Sequence, residues 1–541
     1  MNRRAFLKTT AAGGAGLTAN LACAPPASEP PSDAGAQGEI PPFEFDEVTA
    51  DDLQGMMESG EHTARSITEA YLGRLEAMDR QGPELRSMIE INPDALAIAD
   101  ELDAERQANG PRGPLHGIPV ALKDNLDTHD RMTTTAGSLA LEGSIPPRDS
   151  FVAERLRAAG AILLGKLNMS EWAYFRGERA TSGWSARGGQ CKNPYALDRN
   201  PCGSSSGSGT AASANLCALT VGTETGGSIM CPSSSNGIVG IKPTVGLWSR
   251  SGIIPISHSQ DTAGPMTRTV RDAAILLGGA VGVDPRDEAT NGSEGNFHTD
   301  YAQFCDPAGL QGARIGVARS FTGFDPRVTA LFDDAIQAMA DAGAVIVDPA
   351  NLPEAAWNDE LPLLLLEYEF KADLNAYLAT LGPDAPVRTL AEIIEFNETN
   401  AELEMPHFGQ ERMIASEARG PLTDEAYLNA KRTIQRANRE GGIDALMDEH
   451  QLDAIVAPTR DLPWVTDHIK GDRLDGGSSA GPAAIAGYPD ISVPMGFVSG
   501  LPAGVSFFGR AWSEPVLIRI AYAYEQATQA RRAPTFAPTL G

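Results

Sequence analysis

The sequence predicts one α/β fold, a single sheet interrupted by a helical insertion. Three observations predict it. Residues 150–169, SFVAERLRAAGAILLGKLNM, read as an amphipathic helix, a glycine turn and a buried strand, the rhythm of a sheet covered by helices. Apolar, strand-like runs occupy both ends of the chain: GIPVALKD (117–124), CALTVGTE (217–224) and GIVGIKPT (237–244), then LDAIVAPT (452–459), DISVPMGF (490–497) and GVSFFG (504–509). Between them, from about 325 to 450, the pattern turns to long helical periodicity. Strands on both sides of the helical part favour one sheet with an insert over two independent domains. Hydrophobic residues make up 42% of the 541, enough for a sizeable core.

In chain order, Arg3 and Arg4 ahead of Phe6, Leu7 and Lys8 give residues 1–24 the look of a twin-arginine export signal. The run that follows is weakly apolar and ends in Ala22-Cys23-Ala24; it is too short and too polar to span a membrane. Pro25 makes cleavage after Ala24 awkward, and Asn20 stands where a lipidation site usually has an aliphatic residue. Cleavage and a lipid anchor on Cys23 both stay open, and the expected location is periplasmic or secreted. Residues 25–42, PPASEPPSDAGAQGEIPP, form a Pro/Ser/Ala-rich linker. Residues 43–541 are read as one domain.

Residues 49–80 carry apolar positions at helical spacing and read as two helices, with Asp51 and Thr63 near their starts. GAILLGK (160–166) has the spacing of a phosphate-binding loop, but Leu167 stands where a metal-binding Ser or Thr is required and residues 161–164 are all apolar. It reads as a core strand. Within 325–450, LFDDAIQAMADAGA, LLLLEYEFKADLNAYLATL and TLAEIIEFNETNAELE are the clearest helices, and VLIRIAYAYEQATQA forms a last one.

The formal net charge is −28, a surface that repels nucleic acid and anionic lipid. None of the six cysteines has CxxC spacing and no Cys/His cluster suggests zinc. Cys202 and Cys231 flank the serine-rich loops; a disulfide between them and buried free thiols are both compatible with the sequence.

The chemistry concentrates in PCGSSSGSGTAASANLCALTVGTETGGSIMCP (201–232), which contains no histidine. The first loop puts Ser204 and Ser205 ahead of an Ala-rich helix, where either could be a plain helix cap. No apolar strand precedes GSSSG, so it is not a nucleophile elbow. In the second loop, the glycines either serve a tight turn or let the N–H groups of Thr225, Gly226, Gly227 and Ser228 converge into an oxyanion nest, with Ser228 as nucleophile. Each loop alone is weak.

Together they resemble the amidase signature family. The resemblance is carried by PLHGIPVALKDNLDT (114–128), CKNPYALDRNPCGSSSGSGTAAS (191–213), VGTETGGSIMCPSSSNGIVGIKPTVG (221–246) and SQDTAGPMTRTVRDAA (259–274), with LDAIVAPT, AGYPDISVPMG (486–496) and LPAGVSFFG (501–509) later. It spans roughly residues 45–535. MSEWAYFRGERATSGWSARGGQCKNPY (169–195), Cys202 and Glu224 are similar to the bacterial peptide amidases, whereas Gly227 follows the broader family.

The resemblance implies an amidase signature fold, with a large mixed, mostly parallel sheet covered by helices on both faces. It implies Lys123 as base, Ser204 as a bridging serine in a cis peptide, and Ser228 as nucleophile; the family's spacing of 24 residues selects Ser204 over its neighbours. Ser205, Asp124 and Asn125 are expected in support, although Asp124 and Asn125 fit a strand-end turn equally well. The flanking run Ile118, Pro119, Val120, Ala121 and Leu122 argues that Lys123 is buried and not a solvated surface lysine. A buried lysine has a lowered pKa and can stand in for the missing histidine. No metal or organic cofactor is expected. The substrate implied is a C-terminally amidated peptide or a related amide. The alternatives are a broader acylamidase, with LPLLLLEYEF (361–370) lining an apolar pocket or simply packing a core, and the amidase component of a tRNA-dependent amidotransferase, against which export and the acidic balance argue.

Overall fold

The computed structural model describes residues 40–353, 360–383, 385–473 and 476–540. The export signal, Cys23 and linker residues 25–39 lie outside the described residues. Thirteen strands occur among those described: β1 Met88–Ile91, β2 Pro119–Lys123, β3 Ile162–Leu167, β4 Trp184–Ser185, β5 Gly189–Gln190, β6 Leu219–Glu224, β7 Val239–Lys242, β8 Thr262–Thr267, β9 Arg314–Val317, β10 Val345–Val347, β11 Ala454–Pro458, β12 Asp490–Val498 and β13 Leu501–Phe508. Eleven form one sheet in the order β1-β3-β2-β6-β8-β7-β12-β13-β11-β9-β10; β4 and β5 pair separately.

The sheet is mixed, as expected, but not mostly parallel: six of its ten pairings are antiparallel. The reason is connectivity. A parallel pair needs a long crossover, and the sheet has four such pairs: helix Phe151–Ala158 lies between β2 and β3, helix Pro326–Asp341 between β9 and β10, and longer helix-containing stretches lead from β2 to β6 and from β9 to β11. The centre of the sheet is built from reversals. β12 and β13 turn through Ser499 (φ 50°) and Gly500 (φ 84°), the paired positive angles of a tight two-residue hairpin.

Side chains alternate between two cores. Ala454 and Val456 of β11 join the main cluster with Val328, Phe332, Leu517 and Ala521 of flanking helices. Ile455 and Ala457 face the other way, onto Ile443, Met447, Ala483 and Ala486. Helices therefore cover both faces, and β2, β3, β6, β7, β8, β11 and β13 are buried along their whole length.

Local signals worked as physics requires. Thr49 and Thr63 each cap a helix, Ala50–Ser59 and Ala64–Leu75, so Asp51 falls in a first turn and is not the cap. GAILLGK is buried β3, and Lys166 Nζ donates to Leu126 O and Thr134 Oγ1. The 325–450 stretch divides. Helix Pro326–Asp341 and β10 belong to the sheet, and the helices set apart from it begin with Glu360–Thr380. β10 is only three residues long, too short for a periodic signal. The later helices build their own cluster from Phe370, Leu374, Leu390 and Met413 over Trp172, Phe175 and Ile256. Arg176, fully buried between Glu171 and Glu404, ties them to the body.

Candidate active site

Lys123 ends β2, and β6 runs parallel beside it, with Leu122 opposite Val221. Parallel neighbours finish at the same edge, so Lys123 meets Thr223 although 100 residues separate them. Lys123 is wholly buried. Its Nζ lies 2.7 Å from Ser204 Oγ, 2.9 Å from Thr223 Oγ1 and 3.3 Å from Thr223 O. Burial pushes the amine down to about 7, while Asp261 and Glu224 pull weakly the other way. A neutral amine has two hydrogens and one lone pair. Thr223 O can only accept, and Thr223 Oγ1 also receives Asn125 Nδ2 at 3.0 Å. The hydrogens therefore go to Thr223, and the lone pair is left to take a proton from Ser204.

The Gly203–Ser204 peptide is cis. Ser204 O accepts from Ser170 N at 3.0 Å, and a side chain at Gly203 would run into Ser170 Oγ, so only glycine fits. Ser205 precedes helix Ser206–Ser213 without capping it. Its Oγ donates to Thr223 O and accepts from Thr223 N, and its N–H donates to Ser228 O at 3.2 Å, which stitches the two loops together.

Ser228 is half-buried, and no hydrogen bond joins its Oγ to Ser204 or to any other described residue. Glu224 Oε2 accepts from Ile229 N and Met230 N, holding the turn that follows it. Thr225 Oγ1 donates to Asp261 Oδ1 at 2.5 Å, and Gln260 Nε2 donates to Thr225 O. Gly227 sits at φ 94°. The N–H groups of Thr225, Gly226, Gly227 and Ser228 make no hydrogen bond with any described residue, as an oxyanion nest needs.

The structure thus brings Lys123, Ser204 and Ser205 together around Thr223, and places Asn125 on the same threonine. Asp124 takes the strand-end turn role instead. Its carboxylate accepts from Thr135 Oγ1 and Gly137 N and does not touch Lys123. Sequence reasoning missed Thr223, Glu224 and Asp261 as positioning groups. Their signal lay in the quoted motifs VGTETGG and SQDTAGP, whose polar residues flank the loop.

Cys202 and Cys231 form a disulfide that bridges the two loops. A cavity of about 450 Å³ opens on Gly203, Gly226, Gly227 and Ser228, with Phe175, Leu363, Leu366, Arg412 and Arg460 among its lining residues. A second cavity, about 350 Å³, reaches Asn125, Thr223 and Thr225 but not Ser228. Only the first can seat a carbonyl against Ser228. Among the described residues, His258, Glu369 and Asp373 are grouped closely enough to hold a cation. Lys431 Nζ, 3.1 Å from His258 Nε2 and 3.5 Å from Glu369 Oε1, already supplies one.

The family model for amidases matches residues 66–518. The chain belongs to the amidase signature family. As a member it is an amide-hydrolysing enzyme. The crystal structure of native peptide amidase from Stenotrophomonas maltophilia superposes on this amidase with a TM-score of 0.87 and 50% identity, covering 92% of this chain and all of that one. A probable amidase of Arabidopsis thaliana is 43% identical over 503 residues, 91% of this chain and 92% of its own. A glutamyl-tRNA(Gln) amidotransferase component from Chloroflexus aurantiacus is 34% identical over 497 residues, 90% and 98% respectively.

Proposed function

We propose that this amidase is exported and releases ammonia from C-terminally amidated peptides through an acyl-enzyme on Ser228. The observation that carries the mechanism is the 2.7 Å contact of desolvated Lys123 with Ser204, beneath the loop of free N–H groups that ends at Ser228. Lys123 accepts the Ser204 proton, and Ser204 accepts that of Ser228 as its hydroxyl turns toward the relay. Ser228 Oγ bonds to the amide carbon, and the oxyanion settles on the N–H groups of residues 225–228. The relay then returns the proton to the leaving nitrogen, the C–N bond breaks and ammonia departs. Water attacks the ester by the same path and restores Ser228.

The peptide reading is supported by the 50% identity to a peptide amidase. It is also supported by a cavity of about 450 Å³ on the Ser228 side, large enough for the end of a peptide. Pro362, Leu363 and Leu366 line that cavity while Leu365 and Phe370 pack cores, so LPLLLLEYEF both lines a cavity and packs a core. Export is supported by the paired arginines at residues 3–4 and by a disulfide, which persists in oxidising compartments. The test compares kcat/KM for ammonia release from an amidated dipeptide and a long-chain primary amide with that for aniline release from an anilide, the dipeptide's free acid serving as blank. Preference for the dipeptide amide is expected; preference for the anilide or long-chain amide overturns the peptide reading in favour of a broader acylamidase.

A further inference from the structure

Arg460 is 6% exposed, yet no carboxylate lies within ion-pairing distance of it among the described residues. Its Nη1 reaches only the disulfide sulfurs, 2.9 Å from Cys231 Sγ and 3.5 Å from Cys202 Sγ, and both are poor acceptors. Its Nε has no partner at all. The guanidinium lies 4.8 Å from the Trp464 ring centroid. The nearby carboxylate of Asp472 is already taken by Ser182 N and Trp464 Nε1. Arg412, half-buried, donates no side-chain hydrogen bond and makes no ion pair among the described residues; it lies 5.9 Å from the Phe175 ring centroid. Both arginines line the cavity that opens on Ser228.

A buried guanidinium that no carboxylate touches is costly; Asp472 and Asp461 act on Arg460 only from beyond contact distance, and in a chain of net charge −28 with 71 acids two arginines without a direct ion pair beside one cavity are conspicuous. The leaving group of a primary amide is only ammonia, so the cavity receives the acyl half. We propose that Arg412 and Arg460 form an anionic subsite for a carboxylate on the acyl half of the substrate, so that acidic peptide amides are preferred. The inference rests on the amide-hydrolase reading of the Ser228 cavity. The apolar walls of Phe175, Leu363 and Leu366 hold the aliphatic part, and the arginines complete their donor shells with the carboxylate oxygens.

The test compares kcat/KM for ammonia release within two matched pairs: N-acetyl-glutamate α-amide against its γ-methyl ester, and succinyl-leucine amide against its succinyl methyl ester. The acid is expected to exceed the ester at least tenfold in one pair, mainly through KM. Arg412→Gln should bring that ratio to within about threefold of one, and Arg412→Lys should keep part of it. Ratios at or below one in the wild type overturn the subsite without any variant, and the esters' own turnover then leaves the amidase reading standing. A ratio unmoved in both Arg412→Gln and Arg460→Gln also overturns it. Silence on all four amides beside turnover of an anilide removes the peptide reading and the subsite together.

Discussion

At the residue scale the decisive group is Lys123, because its burial sets the protonation state of the relay. The catalytically competent form is the neutral one, and its fraction grows as pH rises through the lowered value of about 7. The kcat/KM profile should therefore climb through about pH 7 and level off above it; a rising limb centred near 10, where a solvated lysine titrates, contradicts the assignment. Lys123→Ala and Ser228→Ala should each remove turnover by at least a thousandfold and abolish labelling by a serine-reactive phosphonate. Full labelling of Ser228→Ala at another serine would show the nucleophile to lie elsewhere. Thr223→Val removes the hydroxyl that fixes both Lys123 Nζ and Asn125 Nδ2, and should lower kcat while leaving the phosphonate site on Ser228.

At the scale of elements, the two loops are held by glycine and by sulfur. Gly203→Ala would drive a methyl into Ser170 Oγ, and Gly227→Ala would place a side chain at φ 94°. Both should cut activity well beyond any loss of folded protein, measured by comparing ammonia release with the thermal melt. Reducing Cys202–Cys231, which closes a 29-residue separation, should cost about 3–4 kcal/mol of stability, checked by denaturant titration with and without reductant. The loops themselves were legible in the sequence, because glycine, serine and spacing are local marks. The disulfide was only one of two options there, since thiols so placed can also stay apart. The direction of each strand was not legible either. Whether a strand pairs parallel or antiparallel depends on which neighbours the crossovers choose, and β10, three residues of VIV after a helix, carries no pattern of its own. Asp124 shows the same limit at the site: adjacency to Lys123 in the chain said nothing about which way its carboxylate turns.

At the scale of the whole molecule, the sheet supplies the frame on which residues far apart in sequence meet, and the helices beginning at Glu360 roof the Ser228 cavity with Leu363 and Leu366. Substitutions in that roof, Leu366→Ala for example, should shift KM among amides of different acyl groups more than they shift kcat, measured across the same panel of amides. The register of β2 on β6, Val120 against Leu219 and Leu122 against Val221, has a use of its own. Side chains alternate along a strand, so a slip of one position would turn Lys123 to the opposite surface of the sheet and leave Ser228 without its base. Zippering of those two strands is in this sense digital: a molecule is either aligned and reactive or misaligned and silent. Titrating a preparation with the phosphonate to its end-point would then count correctly zippered molecules one by one, a quality measure for refolded material that neither circular dichroism nor a melting curve provides.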